Sequence, residues 1–291
     1  MTDHLTTRSP SHLLAGLLYH EYCCLFLASL ISLGILVSTG AGHLFHLPLL
    51  GGCIAIILAA RFHRHKGTSL RSRVRFLTAY GLMLWIYTAV ADLIPLMQLT
   101  TYDDELRSID RFIFGETPAL MCPAQPWLTE LMSCGYLSYQ IYIHGSIILY
   151  FFIDPDRIQR LFTFLFPAFT LGIMGYFFVP AIGPWRAYPS EFLDPLQGWW
   201  ITELNAMVVA QGSSVYDVFP SLHTLGTLVL LDHDRWYRPR WFRVMSPMSV
   251  ILISSTIYLR YHYAIDLIVG LILFLCVRSY NWRWDHTQNS T

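Results

Sequence analysis

Apolar stretches of roughly twenty residues recur along the whole chain, and each is long enough to cross a hydrocarbon core of about 30 Å. A crossing segment meets no water there, so it must satisfy its backbone internally, and for a single run that means a helix. Such segments fall at residues 13–39, 45–60, 76–99, 128–153, 161–180, 218–233, 244–259 and 262–278. A soluble domain carries about a quarter charged residues, whereas here the share is 13%, against 54% hydrophobic. No soluble fold buries that many apolar runs. The expected fold class is all-α, a polytopic membrane helix bundle with about eight transmembrane helices.

The first span, Leu13 to Thr39, is long for a cleaved leader and is preceded only by Arg8 as a basic residue. It reads as a retained helix, with Ser38-Thr39-Gly40-Ala41 small enough to leave cleavage open. The formal net charge is zero, so the basic excess of a nucleic-acid partner is absent. Cysteines at 23, 24, 53, 122, 134 and 276 form no metal-ligand or disulfide spacing and read as small core residues.

Arginine and lysine placement sets the orientation. With the N-terminus in the cytoplasm, 15 of the 19 basic residues fall on inner segments, and only Arg107, Arg111, Arg186 and Arg260 lie outside. Inner loops are short and basic. The outer segments 100–127 and 181–217 are long, rich in Pro, Gly and aromatic residues, and acidic. Within the first, Leu106, Ile109, Phe112 and Ile113 share a helical face, which predicts a short helix lying in the interface. Trp199 and Trp200 suit an aromatic belt. Long outer loops above a bundle put the work on that side.

Three short segments there carry chemistry. In Arg260-Tyr261-His262-Tyr263-Ala264-Ile265-Asp266, a helix would place His262 and Asp266 on one face. The aspartate then holds one imidazole nitrogen as a donor and leaves the other nucleophilic. In Phe219-Pro220-Ser221-Leu222-His223, proline and a capping serine open a helix whose free N–H groups form an anion site, and His223 is placed to protonate a leaving oxygen. In Gly183-Pro184-Trp185-Arg186, the arginine offers a planar fork for phosphate oxygens. Each has an inert counterpart: a capped helix start, a stacked histidine, a headgroup contact. Together, on one side of the membrane, they make an anion cradle, a nucleophile, its orienter and an acid.

Pro220-Ser221-Leu222-His223 and His262 with Asp266 resemble the Pro-Ser-Gly-His motif and the His-x-x-x-Asp end of the third motif of the type 2 phosphatidic acid phosphatase superfamily. The resemblance covers roughly residues 76–278, that superfamily's six-helix core. Outside it, the apolar runs and basic residues give residues 1–75 as two extra helices with a basic cytoplasmic loop, and residues 279–291 as a cytoplasmic tail. The resemblance also implies His262 as nucleophile, Asp266 as its orienter and His223 as general acid. Departures are Ser255-Thr256 in place of Ser-Arg, Leu222 for the motif glycine, and no Lys-x6-Arg-Pro motif. With His262-Tyr263 and the Leu106…Ile109-Asp110…Phe114-Gly115 segment, they look more like the inositol phosphorylceramide synthase branch.

The function so implied is a membrane lipid phosphatase or phosphotransferase acting on a phospholipid or polyprenyl phosphate or diphosphate at the outer leaflet. Its phosphate would rest on Arg186, Ser221 and Arg260, with no metal and no cofactor. The alternative within this chemistry is headgroup transfer to a lipid acceptor. A non-enzymatic transporter would use His144 and the break at Asp92-Leu93-Ile94-Pro95, which read more simply as a satisfied polar group and a kink.

Overall fold

The computed structural model describes residues 16–62 and 69–288. Arg8, Arg64, Lys66 and the first residues of the 13–39 span lie outside the described residues. Among the described residues 79% are helical and none lies in a strand. In chain order the helices are α1 (Tyr19–Thr39), α2 (His46–Phe62), α3 (Ser69–Leu96), α4 (Asp103–Phe114), α5 (Pro118–Met121), α6 (Pro126–Ile153), α7 (Pro155–Phe178), α8 (Pro184–Ala187), α9 (Trp200–Gly212), α10 (Leu222–Tyr237), α11 (Pro239–Tyr258) and α12 (Ala264–Gln288). A single 3-10 turn occupies Pro189–Glu191.

The apolar runs become the long helices. Four of them, within α1, α3, α6 and α7, are long and apolar enough to cross a membrane by length and composition, and α2 is a shorter apolar helix. Large apolar side chains point away from the bundle: Val37, Leu47, Ile141, Ile153 and Phe178 are each more than half exposed, a surface suited to a bilayer. Helix starts follow local chemistry. Proline occupies the first turn of α6, α7 and α11, where its missing N–H costs nothing. The Asp154 side chain caps α7 by accepting from Arg157 N at 3.2 Å. The Asp92–Pro95 segment does not break α3, which continues to Leu96.

The chain forms two compact units, residues 1–84 and 85–291, with the boundary inside α3. In the first unit α1 packs on α2, and a buried ion pair joins α1 to α3. Arg75 Nε donates to Glu21 Oε1 at 2.7 Å, and Glu21 is fully buried. Arg75, expected in a free basic loop, is therefore held inside.

In the second unit, α6, α7, α10, α11 and α12 pack on one another. The 181–217 segment is more structured than a loop: it contains α8, the 3-10 turn and the thirteen-residue α9, which lies on α6. The N-terminus of α9 is capped from a distance. The Glu130 carboxylate of α6 accepts from Trp199 N, Ile201 N and Thr202 N at 2.7, 2.9 and 3.1 Å, and from the Thr202 hydroxyl at 2.8 Å. An acid there satisfies free N–H groups and suits the helix dipole.

Helix α4 forms where a short helix is expected, with most of its apolar face turned outward and a largely polar face turned into the protein. Its buried face is Asp103, Leu106, Arg107 and Asp110, while Ile109, Phe112 and Ile113 point outward. Only Leu106 of the predicted apolar face enters the protein, packing with Ala181, Val218 and Tyr263. The buried acids have partners that compensate their desolvation, described below.

Candidate active site

The site begins with how two chain segments are folded back. After α11 the chain turns through Arg260, whose φ is +66°. Tyr261 N and His262 N both donate to Thr256 O, at 3.0 and 3.1 Å. His262 therefore precedes α12 rather than lying on it. The expected shared helical face with Asp266 is not what joins them. Asp266 stands in the first turn of α12, and its Oδ2 reaches back to accept Tyr263 N at 2.8 Å and His262 Nδ1 at 3.2 Å. An ionised carboxylate can only accept, so against it the neutral ring carries its proton on Nδ1 and keeps the Nε2 lone pair.

The second segment opens α10. Ser221 is its N-cap, and the hydroxyl accepts from Thr224 N and Thr224 Oγ1, each at 3.2 Å. Ser221 N donates to Asp266 O at 3.1 Å, which ties the start of α10 to the first turn of α12. Gly175 of α7 permits this approach, since a Cβ there would lie 2.2 Å from Pro220 Cδ. His223 follows in the first turn of α10. Its ring centroid lies 5.6 Å from that of His262, with the planes at 71°. The rings of Tyr136 and Tyr139 flank it at 4.6 and 4.5 Å. His223 Nδ1 has no hydrogen-bond partner among the described residues.

Both histidines line a cavity of ≈ 20 Å³ together with Arg186, Trp185, Tyr136, Tyr261 and Asp217. That is room for about one water. Arg186 stands in α8, its guanidinium 4.6 Å from the Trp185 ring centroid. Gly183 sets the turn before it: φ is +85°, and a Cβ would lie 2.5 Å from Tyr261 O. Trp185 N closes the turn onto Arg260 O at 3.2 Å. Asp217 accepts from Tyr87 OH at 2.5 Å, Ser213 Oγ at 3.1 Å and Ser214 N at 3.3 Å.

The structure thus brings His223, His262, Asp266 and Arg186 together and sets two expected phosphate ligands apart. Ser221 is fully buried and its hydroxyl is engaged in capping. Arg260 does not line the histidine cavity. It borders a neighbouring one, stacks on Phe192 at 4.5 Å, and donates from Nη2 to Asp194 O at 2.8 Å. Burial pulls its guanidinium below the usual arginine value.

Sequence reasoning missed the supports of this site, which come from α4. Asp110 is fully buried and accepts from Ala264 N at 3.0 Å and Ile265 N at 2.9 Å, so it caps α12 from another helix. Burial raises its carboxyl, and those two N–H groups oppose the rise. Asp103 accepts from Tyr263 OH at 2.9 Å, from Gly183 N at 3.0 Å and from Ile182 N at 3.1 Å. One short helix therefore holds both the Arg186 turn and the His262 loop. The signal was present in the spacing of Asp103, Arg107 and Asp110, a polar face opposite Phe112. Arg107 completes the clamp by pairing with Glu191 through both terminal guanidinium nitrogens.

Residues 104–279, well over half of the chain, match the family model described as the PAP2 superfamily. The matched region contains α6 to α11, both histidines, Asp266, Arg186 and Asp110. No curated protein and no solved structure matches the chain. With its two histidines converging on one arginine-lined cavity, the chain belongs to the PAP2 superfamily.

Proposed function

We propose that this chain transfers a phosphoryl group from a lipid-like phosphate through a phosphohistidine on His262. The observation that carries the reading is the single cavity shared by His223, His262 and Arg186, with Asp266 on the far nitrogen of His262. Superfamily membership brings phosphatase-type chemistry on lipid-like substrates.

In this reading the phosphate lies beside Arg186 and the start of α10, whose dipole favours an anion. His262 Nε2 attacks phosphorus and the bond to the leaving oxygen breaks. His223 protonates that oxygen. Water or a lipid hydroxyl, deprotonated by His223, then takes the phosphoryl group and frees His262. Arg186 faces the charge that develops on the equatorial oxygens.

Hydrolysis and headgroup transfer differ only in the acceptor. The residues that carry the likeness to the inositol phosphorylceramide synthase branch are those that dock α4 on the histidine loop. Tyr263 bonds Asp103, and Asp110 caps α12. That coincidence favours a transferase as the second reading. Product analysis by mass spectrometry, with and without diacylglycerol or ceramide, separates the two.

The basic bias of 15 to 4 supports cytoplasmic termini and a non-cytoplasmic site. In purified protein, His262→Ala and His223→Ala should each lower phosphate release at least about 10³-fold. Near-normal turnover in either would refute the mechanism. EDTA should leave the rate unchanged, and inhibition reversed by one metal would count against the reading.

A further inference from the structure

Beside the histidine cavity lies a larger one of ≈ 290 Å³, and the two share Trp185, Arg186, Val209 and Tyr261 as common walls. The larger space is open to the surface and runs along the flank of α9, past Ala206 and Ala210, two small exposed residues one helical turn apart beside the buried Asn205 and Val209. Arg260 borders it, is nine-tenths buried, and has an Nε without a hydrogen-bond partner among the described residues. On its other face α9 exposes Trp200, Leu204 and Met207, and Trp199 precedes them. That apolar, tryptophan-bearing surface suits the bilayer interface. One wall of this space is thus a helix whose other face is apolar and exposed.

We propose that this second cavity receives the hydrocarbon chain of the substrate where it leaves the phosphate, and that Ala206 and Ala210 set its bore. The proposal rests on the phosphoryl-transfer reading and deepens it. A phosphate held at Arg186 has this room directly adjoining, and its α9 wall is aliphatic. A small water-soluble phosphate ester would leave those walls wet. A chain threaded along α9 removes them from water and contributes up to roughly fourfold in affinity per buried methylene.

The test compares n-butyl and n-decyl phosphate as substrates of the purified full chain, and reads the ratio of their kcat/KM values. Wild type should prefer the decyl ester by at least tenfold. In Ala210→Leu and in Ala206→Leu the ratio should fall at least fivefold, with the loss in KM rather than kcat. Ala210→Gly, which widens the slot, should keep the preference. Equal losses for both esters, or an unchanged ratio, would overturn the proposal.

Should wild type turn over neither ester, the phosphoryl-transfer reading fails, and the slot is judged by calorimetric binding of decylphosphonate against butylphosphonate. A decyl preference lost in Ala210→Leu would then support the slot alone. Equal affinity in wild type would refute it.

Discussion

Replacing Asp110 tests whether α4 positions the site. Its carboxylate is fully buried and accepts two N–H bonds, at 3.0 and 2.9 Å, from the first residues of α12. Hydrogen bonds to a charged group contribute roughly 1.5–3 kcal/mol each. The burial that raises this carboxyl offsets part of that gain, so about 3 kcal/mol is the expected loss in Asp110→Ala. For a chain of this size it corresponds to a fall in apparent Tm of about 6–12 °C. The same N–H groups fix the turn in which Asp266 meets His262, and a displacement of about 1 Å there costs on the order of 10² in rate. Thermal unfolding in detergent and kcat/KM for a lipid phosphate are the measurements. Asp110→Asn keeps one acceptor and should recover about half of the Tm loss. A carboxyl raised in the folded state contributes stability fully below its ordinary value of 3.8, and that stability is lost as pH rises through the folded value. The Tm advantage of wild type over Asp110→Asn should therefore shrink as pH rises above 3.8. An Asp110→Ala protein with a Tm within about 2 °C of wild type and kcat/KM within about threefold would refute the argument.

Other perturbations separate roles at neighbouring positions. Gly183→Ala places a Cβ 2.5 Å from Tyr261 O on a backbone with φ at +85°. It should displace Arg186 and raise KM about tenfold or more, at a strain cost of roughly 1–3 kcal/mol, as steady-state kinetics would show. Ser221→Ala removes the α10 cap and should lower apparent Tm by the equivalent of about 0.5–2 kcal/mol. Because its hydroxyl is engaged with Thr224, KM should barely move, and a large KM rise would make it a phosphate ligand after all. The Arg111 hydrogen bond holds Glu116 down at about 2. That ion pair should add stability above pH 4.5 and lose it as pH falls toward 2, as a pH series of unfolding scans would show. Both side chains are partly exposed, so the effect should be small and weaken with salt.

Much of the bundle was legible because its signal is local. A run of apolar residues needs only its own neighbours to declare a helix in lipid, and the long helices follow those runs closely. The His262–Asp266 pair was legible for the wrong reason. Four residues on a helix would join them, but here a loop histidine is met by a first-turn acid that also caps the chain at Tyr263. Either geometry satisfies the same spacing, so the pattern alone could not tell them apart.

The supports were less legible because their partners are remote. Asp110 caps residues 154 and 155 positions later, and Asp103 bonds a tyrosine 160 positions later. Neither separation leaves a periodicity. The same device recurs at α9, whose start rests on Glu130, 69 to 72 positions earlier. In each case an acid from a neighbouring helix satisfies N–H groups that local sequence leaves free. Three acids thereby fix the Arg186 turn, the His262 loop and the helix that walls the larger cavity. A site built this way pays its ordering cost on folding rather than on binding. Neutralising these acids should therefore harm catalysis more than their distance from the reacting phosphorus suggests.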